Sequence, residues 1–219
     1  QELPGFEVGE WWVQDAAAAL PVRLLGEMTG REVLDLCAAP GGKTAQLAVS
    51  GARVTAVDNA PKRVALLRSN MQRLDLQAET FVADALTWRP DKLFDFILLD
   101  APCSATGTIR RHPDIWHLRA PEDVAQAAAL QDQLLQAAIE MLAPGGTLIY
   151  ITCSLQPEEC EQRIDAFLAS GAPVTRRPID ATELFGLDEL ITPLGDMRTL
   201  PHHLGGLDGF YACRLVRNG

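Results

Sequence analysis

The sequence is poor in the features that mark a membrane protein, a secreted scaffold or a basic nucleic-acid platform. No apolar run approaches the roughly 20 residues of a membrane span, and no secretory signal pattern is present. The five cysteines include no C-x-x-C pair and are odd in number, which excludes a zinc ribbon and a closed disulfide scaffold. Reduced thiols in a cytoplasmic protein are the expectation. Basic residues are outnumbered, 19 lysines and arginines against 29 acidic residues for a net charge of −10. That argues against a nucleic-acid platform as a whole; a nucleic acid would have to be gripped by a local patch, or by a basic module outside this sequence. There is no internal repeat or low-complexity tract, and no initiating methionine: the chain starts at Gln1, as a fragment or processed protein would.

What is present is an ordinary globular composition. The 219 residues are 47% hydrophobic and 22% charged, enough for one domain with a sizeable core. A first helix is expected after Gln14-Asp15, with Asp15 near its N-cap, Pro21 kinking or restarting it, and an end near Gly30. Strands are expected at 32–36, 53–57, 80–82, 94–99 and 147–152, with the last ones at 174–177 and 209–216. Helices are expected at 44–49, 61–74, 121–142 and 157–168. This alternation of apolar strands and helices predicts an α/β fold, a parallel sheet with helices on both faces. Ligands bind such sheets outside the carboxyl ends of the strands, so the strand-end residues Cys37, Asp58, Asp84, Asp100 and Cys153 carry the functional information.

The chain is organised around Val33-Leu34-Asp35-Leu36-Cys37-Ala38-Ala39-Pro40-Gly41-Gly42-Lys43-Thr44: a strand, a glycine turn and a helix start. The glycines let backbone approach a ligand, and the helix start offers free N–H groups. A P-loop would need glycine where Cys37 stands, and the dinucleotide fingerprint G-x-G-x-x-G is missing. The remaining nucleotide reading is an S-adenosylmethionine (SAM) corner; a P-loop-like ATP module using Lys43, Thr44 and Asp100 is the alternative, and a plain tight turn the bland one.

Asp58 lies about 20 residues past the turn, where an acid takes ribose hydroxyls; a cap for the next helix is the competing reading, which Asn59 could also supply. Arg63 points back toward the same place, a solvated surface arginine being the bland reading; Asp84 is placed to accept from an adenine amine, but Asp after a strand is also a common cap or turn residue. Asp100-Ala101-Pro102-Cys103 follows one strand and Thr152-Cys153-Ser154 another; if these strands are neighbours, Cys103 and Cys153 face one crevice. Two thiols, a carboxylate and a methyl donor suit methylation at carbon 5 of a pyrimidine. A thiolate adding at carbon 6 makes carbon 5 enamine-like, a carboxylic acid near N3 stabilises the developing charge, and a base removes the carbon-5 proton before the thiolate leaves. Inert buried cysteines, or a metal site with Cys37, are the competing readings.

These motifs resemble the Nop/Sun family of RNA cytosine-C5 methyltransferases. The likeness runs from Gln14-Asp15 through residues 35–44, Asp58, Arg63, Asp84, residues 100–107, Thr152-Cys153-Ser154 and Pro157-Glu158-Glu159 to Asp208-Gly209-Phe210-Tyr211. The segment Arg110-Arg111-His112-Pro113-Asp114 is most similar to the bacterial branch acting on small-subunit (16S) ribosomal RNA. The resemblance implies a Rossmann-like class I SAM-dependent methyltransferase with a mostly parallel seven-stranded sheet. It implies Cys153 as nucleophile, Cys103 assisting product release and Asp100 between cofactor and base. DNA cytosine-C5 methyltransferases attack from the Pro-Cys motif, so the opposite assignment of the two thiols stays open. The resemblance also implies that Cys37, Ala38, Ala39, Pro40, Gly41, Gly42 and Lys43 embrace SAM mostly by backbone, with Asp58 and Arg63 near the ribose and Asp84 near the adenine. Residues 1–30 are then a lead-in segment and helix and 31–219 the catalytic domain, the N-terminal RNA-binding domain of the branch being absent. Arg110, Arg111, His112 and Trp116 are the expected RNA contacts, in a monomer without a metal. Cys160 stands where the family often has Asn and reads as packing, as does Cys213.

Overall fold

The computed structural model describes residues 3–219; Gln1 and Glu2, the start of the lead-in segment, lie outside the described residues. Helix α1 (Ala16–Arg23) is capped by Asp15, whose side chain accepts from Ala17 N. Pro21 is accommodated within it, and the helix stops at Leu24 rather than near Gly30. Then follow β1 (Glu32–Leu36), α2 (Gly42–Val49), β2 (Arg53–Asp58), α3 (Pro61–Arg73), β3 (Glu79–Val82) and β4 (Phe94–Asp100). The second half contains a short α4 (Ile115–Leu118), α5 (Pro121–Met141), β5 (Leu142–Thr152), α6 (Glu161–Ala169), β6 (Val174–Arg176), β7 (Met197–Thr199) and β8 (Phe210–Arg217).

The sheet runs β3-β2-β1-β4-β5-β8-β6, with β7 also on β8. The first five strands are parallel, and β8 is antiparallel to β5. The seven expected positions are there, the last shared end to end by β6 and β7, which pair with opposite ends of β8. The three-residue β7 was not expected, being too short to show a period. Strand β5 starts earlier than expected because Leu142 already pairs with Phe94, and Pro144-Gly145-Gly146 forms an irregularity inside the strand rather than its start. The expected helix at 157–168 is broken: a 3-10 turn, Pro157–Glu159, is separated from α6 by Cys160 at φ −120°, ψ −114°.

Both faces of the sheet are covered, so alternate residues of each central strand enter different cores. Leu34 and Leu36, Ile97 and Leu99, and Leu148 and Tyr150 pack against α5 and α6 through Leu134, Leu135, Ile164 and Phe167. Val33, Leu98, Ile149 and Ile151 pack the other way, against Ala17, Leu20 and Leu47 of α1 and α2. The described part of the lead-in thus shares the core of the sheet. Strand β1 lies between β2 and β4, where the order of connection reverses, so its carboxyl end opens the crevice of such folds.

Candidate active site at the carboxyl rim of the sheet

The glycine corner leaves β1 through Cys37 at φ 59°, passes the cis Ala39–Pro40 bond, and enters α2 at Gly41, φ 101°. The last value requires glycine, and a Cβ there would also lie 2.9 Å from Leu67. Asp58 fastens the loop. Its Oδ2 accepts from Ala39 N at 3.2 Å and its Oδ1 from Ala60 N at 3.1 Å, with Arg63 Nη2 3.3 Å away. Arg63 also donates to Ala39 O. Cys37, Asp58, Arg63, Asp84, Pro102 and Leu134 line one pocket, which mixes charged and apolar side chains. The expected ribose and adenine residues are therefore neighbours, and Asp84 Oδ1 additionally accepts from Leu86 N at 2.9 Å.

The acids near the corner outnumber its cations. Asp35 is fully buried; Oδ2 accepts from Thr44 Oγ1 at 2.6 Å and Oδ1 has no partner. Burial pushes the Asp35 carboxyl up to about 7, Asp100 and Asp58 adding to the shift against Thr44 and Lys43. Burial and the carboxylates of Asp100, Asp58 and Asp35 push the Cys37 thiol up to about 12, which keeps it protonated and unreactive. Lys43 Nζ pairs with Asp100 Oδ2 at 2.7 Å and lies 5.3 Å from the Phe210 ring centroid. The Lys43 side chain is 10% exposed against 33% for Asp100, so the lysine backs a carboxylate that opens to the crevice.

Strands β4 and β5 are neighbours, and the two thiols meet: Cys103 Sγ lies 3.4 Å from Cys153 Sγ. Their hydrogen bond, then burial, and the nearby Glu159 raise the Cys103 thiol well above the ordinary range. The loops cross tightly. Gly107 N donates to Cys153 O at 2.9 Å, and Gly209 N to Gly107 O at 2.8 Å. A Cβ on Gly107 would lie 1.9 Å from Gly209 O, so only glycine fits. Cys160 and Cys213 lie apart in the core, and burial pushes both thiols up, Cys160 to about 11.

The expected RNA segment is partly engaged inside the protein. Arg111 forks the fully buried Asp208 with Nε at 2.9 Å and Nη2 at 2.5 Å, and Arg110 Nη2 lies 3.2 Å from both Asp15 and Asp208. His112 Nε2 sits 3.5 Å from Arg111 Nη1. Trp116 is 73% exposed and lines a cleft with Thr106, Arg119 and Leu155. Sequence reasoning assigned no role to Asp208 or Glu159, both buried among polar partners. The serines after both cysteines, with an acid a few residues on, were the available signal for Glu159. Among the described residues no group of three or more His, Cys, Asp or Glu could hold a metal ion, and no helix is long and apolar enough to cross a membrane.

The fold, with its corner at the β1–β4 switch point, defines a Rossmann-like class I SAM-dependent methyltransferase domain. Shared architecture extends to N-methyltransferase NodS from Bradyrhizobium japonicum in complex with S-adenosyl-L-homocysteine, 16% identical with a TM-score of 0.56 over 92% of this chain and 84% of that one. The family model described as 16S rRNA methyltransferase RsmB/F matches residues 22–216, and the chain belongs to that family. It is 48% identical to ribosomal RNA small subunit methyltransferase B of Erwinia tasmaniensis, over 99% of this chain and 49% of that protein. The protein of the same name from Yersinia pseudotuberculosis is 44% identical over 98% of this chain and 49% of its own length. The chain thus spans about half the length of the curated relatives it matches. Among solved structures, NSun6 from Pyrococcus horikoshii with SFG superposes with a TM-score of 0.86 at 26% identity, over the whole of this chain and 56% of the other. A methyltransferase homolog protein from the same organism gives 0.80 at 32% identity, covering 98% and 70%.

Proposed function

We propose that this chain is the catalytic part of a SAM-dependent RNA cytosine-C5 methyltransferase acting on 16S ribosomal RNA. The observation that carries the reading is the pair of sulfurs 3.4 Å apart beside Asp100, next to the glycine corner. The names of the curated relatives support ribosomal RNA as the substrate. The pocket residues fit SAM by the chemistry of their donors and acceptors. Asp58 can accept from a vicinal diol and Asp84 from an exocyclic amine, while the surplus of carboxylates suits a ligand carrying sulfonium and ammonium charges. When bound, SAM supplies an electrophilic methyl group. Cys37 to Lys43, Asp58, Arg63 and Asp84 hold it.

In the reaction Cys153 forms a bond from sulfur to carbon 6 of the cytosine, and the displaced electron pair makes carbon 5 nucleophilic. Asp100, held by Lys43, accepts from the exocyclic amine of the cytosine and so orients the ring against the sulfurs. After the methyl group is attached, the carbon-5 proton leaves to a base, its electrons re-form the ring double bond, and the sulfur–carbon bond breaks. Cys103, in contact with Cys153, assists that release. At 3.4 Å either thiol can donate to the other, so Cys103 is within reach of the Cys153 sulfur as it leaves. Arg110, Arg111, His112 and Trp116 border the crevice and contact RNA around a base turned out of its stack. The division into a lead-in over 1–30 and a catalytic domain over 31–219, the monomeric state and the cytoplasmic location belong to the same proposal. The ATP-module reading meets a physical obstacle: Thr44 is buried with its hydroxyl on Asp35, and Lys43 is held by Asp100.

The test is a pair of variants assayed with 16S rRNA and labelled SAM, the products run on a denaturing gel. Cys153→Ser abolishes methyl transfer. Cys103→Ser accumulates a covalent RNA–protein adduct. Adduct trapped by Cys153→Ser instead reverses the two roles, and full activity in both variants removes the mechanism.

A further inference from the structure

Beneath the two cysteines lies a carboxylate that the reaction as described does not use. Glu159 is fully buried in the 3-10 turn after β5. Its Oε1 accepts from Ser104 N at 2.8 Å and from Gln131 Nε2 at 3.2 Å. Its Oε2 accepts from the hydroxyls of Ser104 and Ser154, both at 2.5 Å. The backbone beneath it is pinned as well, since Tyr150 Oη donates to Glu159 O at 2.9 Å. Ser104 directly follows Cys103 and Ser154 directly follows Cys153. One side chain therefore grips the residue next to each reactive sulfur, on loops 50 positions apart. Burying a carboxylate is costly unless its lone pairs are filled, and here four donors fill them. Glu158 beside it is exposed, which separates the buried acid from an ordinary charged helix start.

We propose that Glu159 is a positioning residue for methyl transfer: it ties the loop after Cys103 to the loop after Cys153 and so sets the separation of the two sulfurs. The idea rests on the reading of Cys103 and Cys153 as the reacting pair. Gln131, from α5, anchors the same carboxylate and Pro102 O, at 2.9 Å for the latter, so the tie is referenced to a long packed helix rather than to the loops alone. The break at Cys160 frees this turn from the line of α6, whose Ile164 and Phe167 face the core.

The separation of the sulfurs can be read without RNA or SAM. Diamide takes the two thiol hydrogens, becoming a hydrazine, as one sulfur–sulfur bond forms between Cys103 and Cys153; peptide mass spectrometry follows that bond with time. Glu159→Gln keeps the shape but replaces one acceptor oxygen by a donor group, facing donors. The expected result is crosslinking slowed about 5-fold or more and kcat for methyl transfer lowered on the order of 100-fold, with KM for SAM within about 2-fold, as for a small misplacement of reacting groups. Glu158→Gln, the neighbouring exposed acid, changes neither. Should Glu159→Gln fail to fold, Ser104→Ala and Ser154→Ala each remove one arm of the tie and slow crosslinking by a smaller factor. Crosslinking at the wild-type rate in the folded variants overturns the proposal. Slowed crosslinking with unchanged kcat also overturns it, while a failure of the cysteine assignment appears separately, as active Cys153→Ser and Cys103→Ser enzymes.

Discussion

The corner at residues 37–44 and the crevice between Cys103 and Cys153 share one rim, but different forces hold them. The corner is shaped largely by its own backbone, with positive φ at Cys37 and Gly41 and a helix start at Gly42. Its main outside support is Asp58, at the end of the adjacent strand. The crevice has no such local template. It exists because Gly107, Cys153 and Gly209 cross at backbone contact, and because Glu159 grips Ser104 and Ser154. A backbone-built corner tolerates changes in its side chains, whereas a crevice made of crossing loops has no spare space.

Two glycine substitutions put this contrast to its hardest test. Gly107→Ala forces a methyl group onto Gly209 O, 1.9 Å from the Cβ position, and should lower stability by about 2–4 kcal/mol in denaturant unfolding. Gly42→Ala, whose Cβ would find nothing nearer than 3.8 Å at a helix start, should change stability by less than about 1 kcal/mol. Equal losses in both would end the comparison.

Next in size is the link between the two regions, the Lys43–Asp100 pair at 2.7 Å. Lys43→Ala should reduce kcat on the order of 100-fold, because Asp100 loses its buried partner and orientation. A change confined to KM for SAM would instead make Lys43 part of the corner alone.

A smaller effect sharpens the electrostatic side. The Asp35 carboxyl, held at about 7 by burial, retains its proton longer in the folded than in the unfolded chain. Stability from this site is therefore full below about pH 4 and falls as pH rises to about 7. Asp35→Asn should flatten that fall, raising stability near pH 8 and leaving it unchanged at pH 4; thermal midpoints across the pH series decide it. Smallest is Arg110→Ala, a half-exposed partner of Asp15 and Asp208, expected to cost less than about 1 kcal/mol. If stability holds while RNA affinity falls, Arg110 belongs to the RNA surface; if both stand, it belongs to neither.

The sequence by itself was enough for the α/β order, the glycine corner, and the acids and thiols at the strand ends. Those follow from short-range rules: apolar runs of strand length, a glycine where φ is positive, an N-cap such as Asp15. It misjudged the end of α1, the start of β5 and the helix broken at Cys160, since local patterns do not reveal where neighbours interrupt an element. Nor did it show that Arg110 and Arg111 pair with Asp208, almost 100 residues away in the chain. Only the tertiary structure brought Cys103 to Cys153 and placed Glu159 beneath both. Their contact depends on β4 and β5 lying side by side and on loops crossing at glycine, and neither is a property of any one segment.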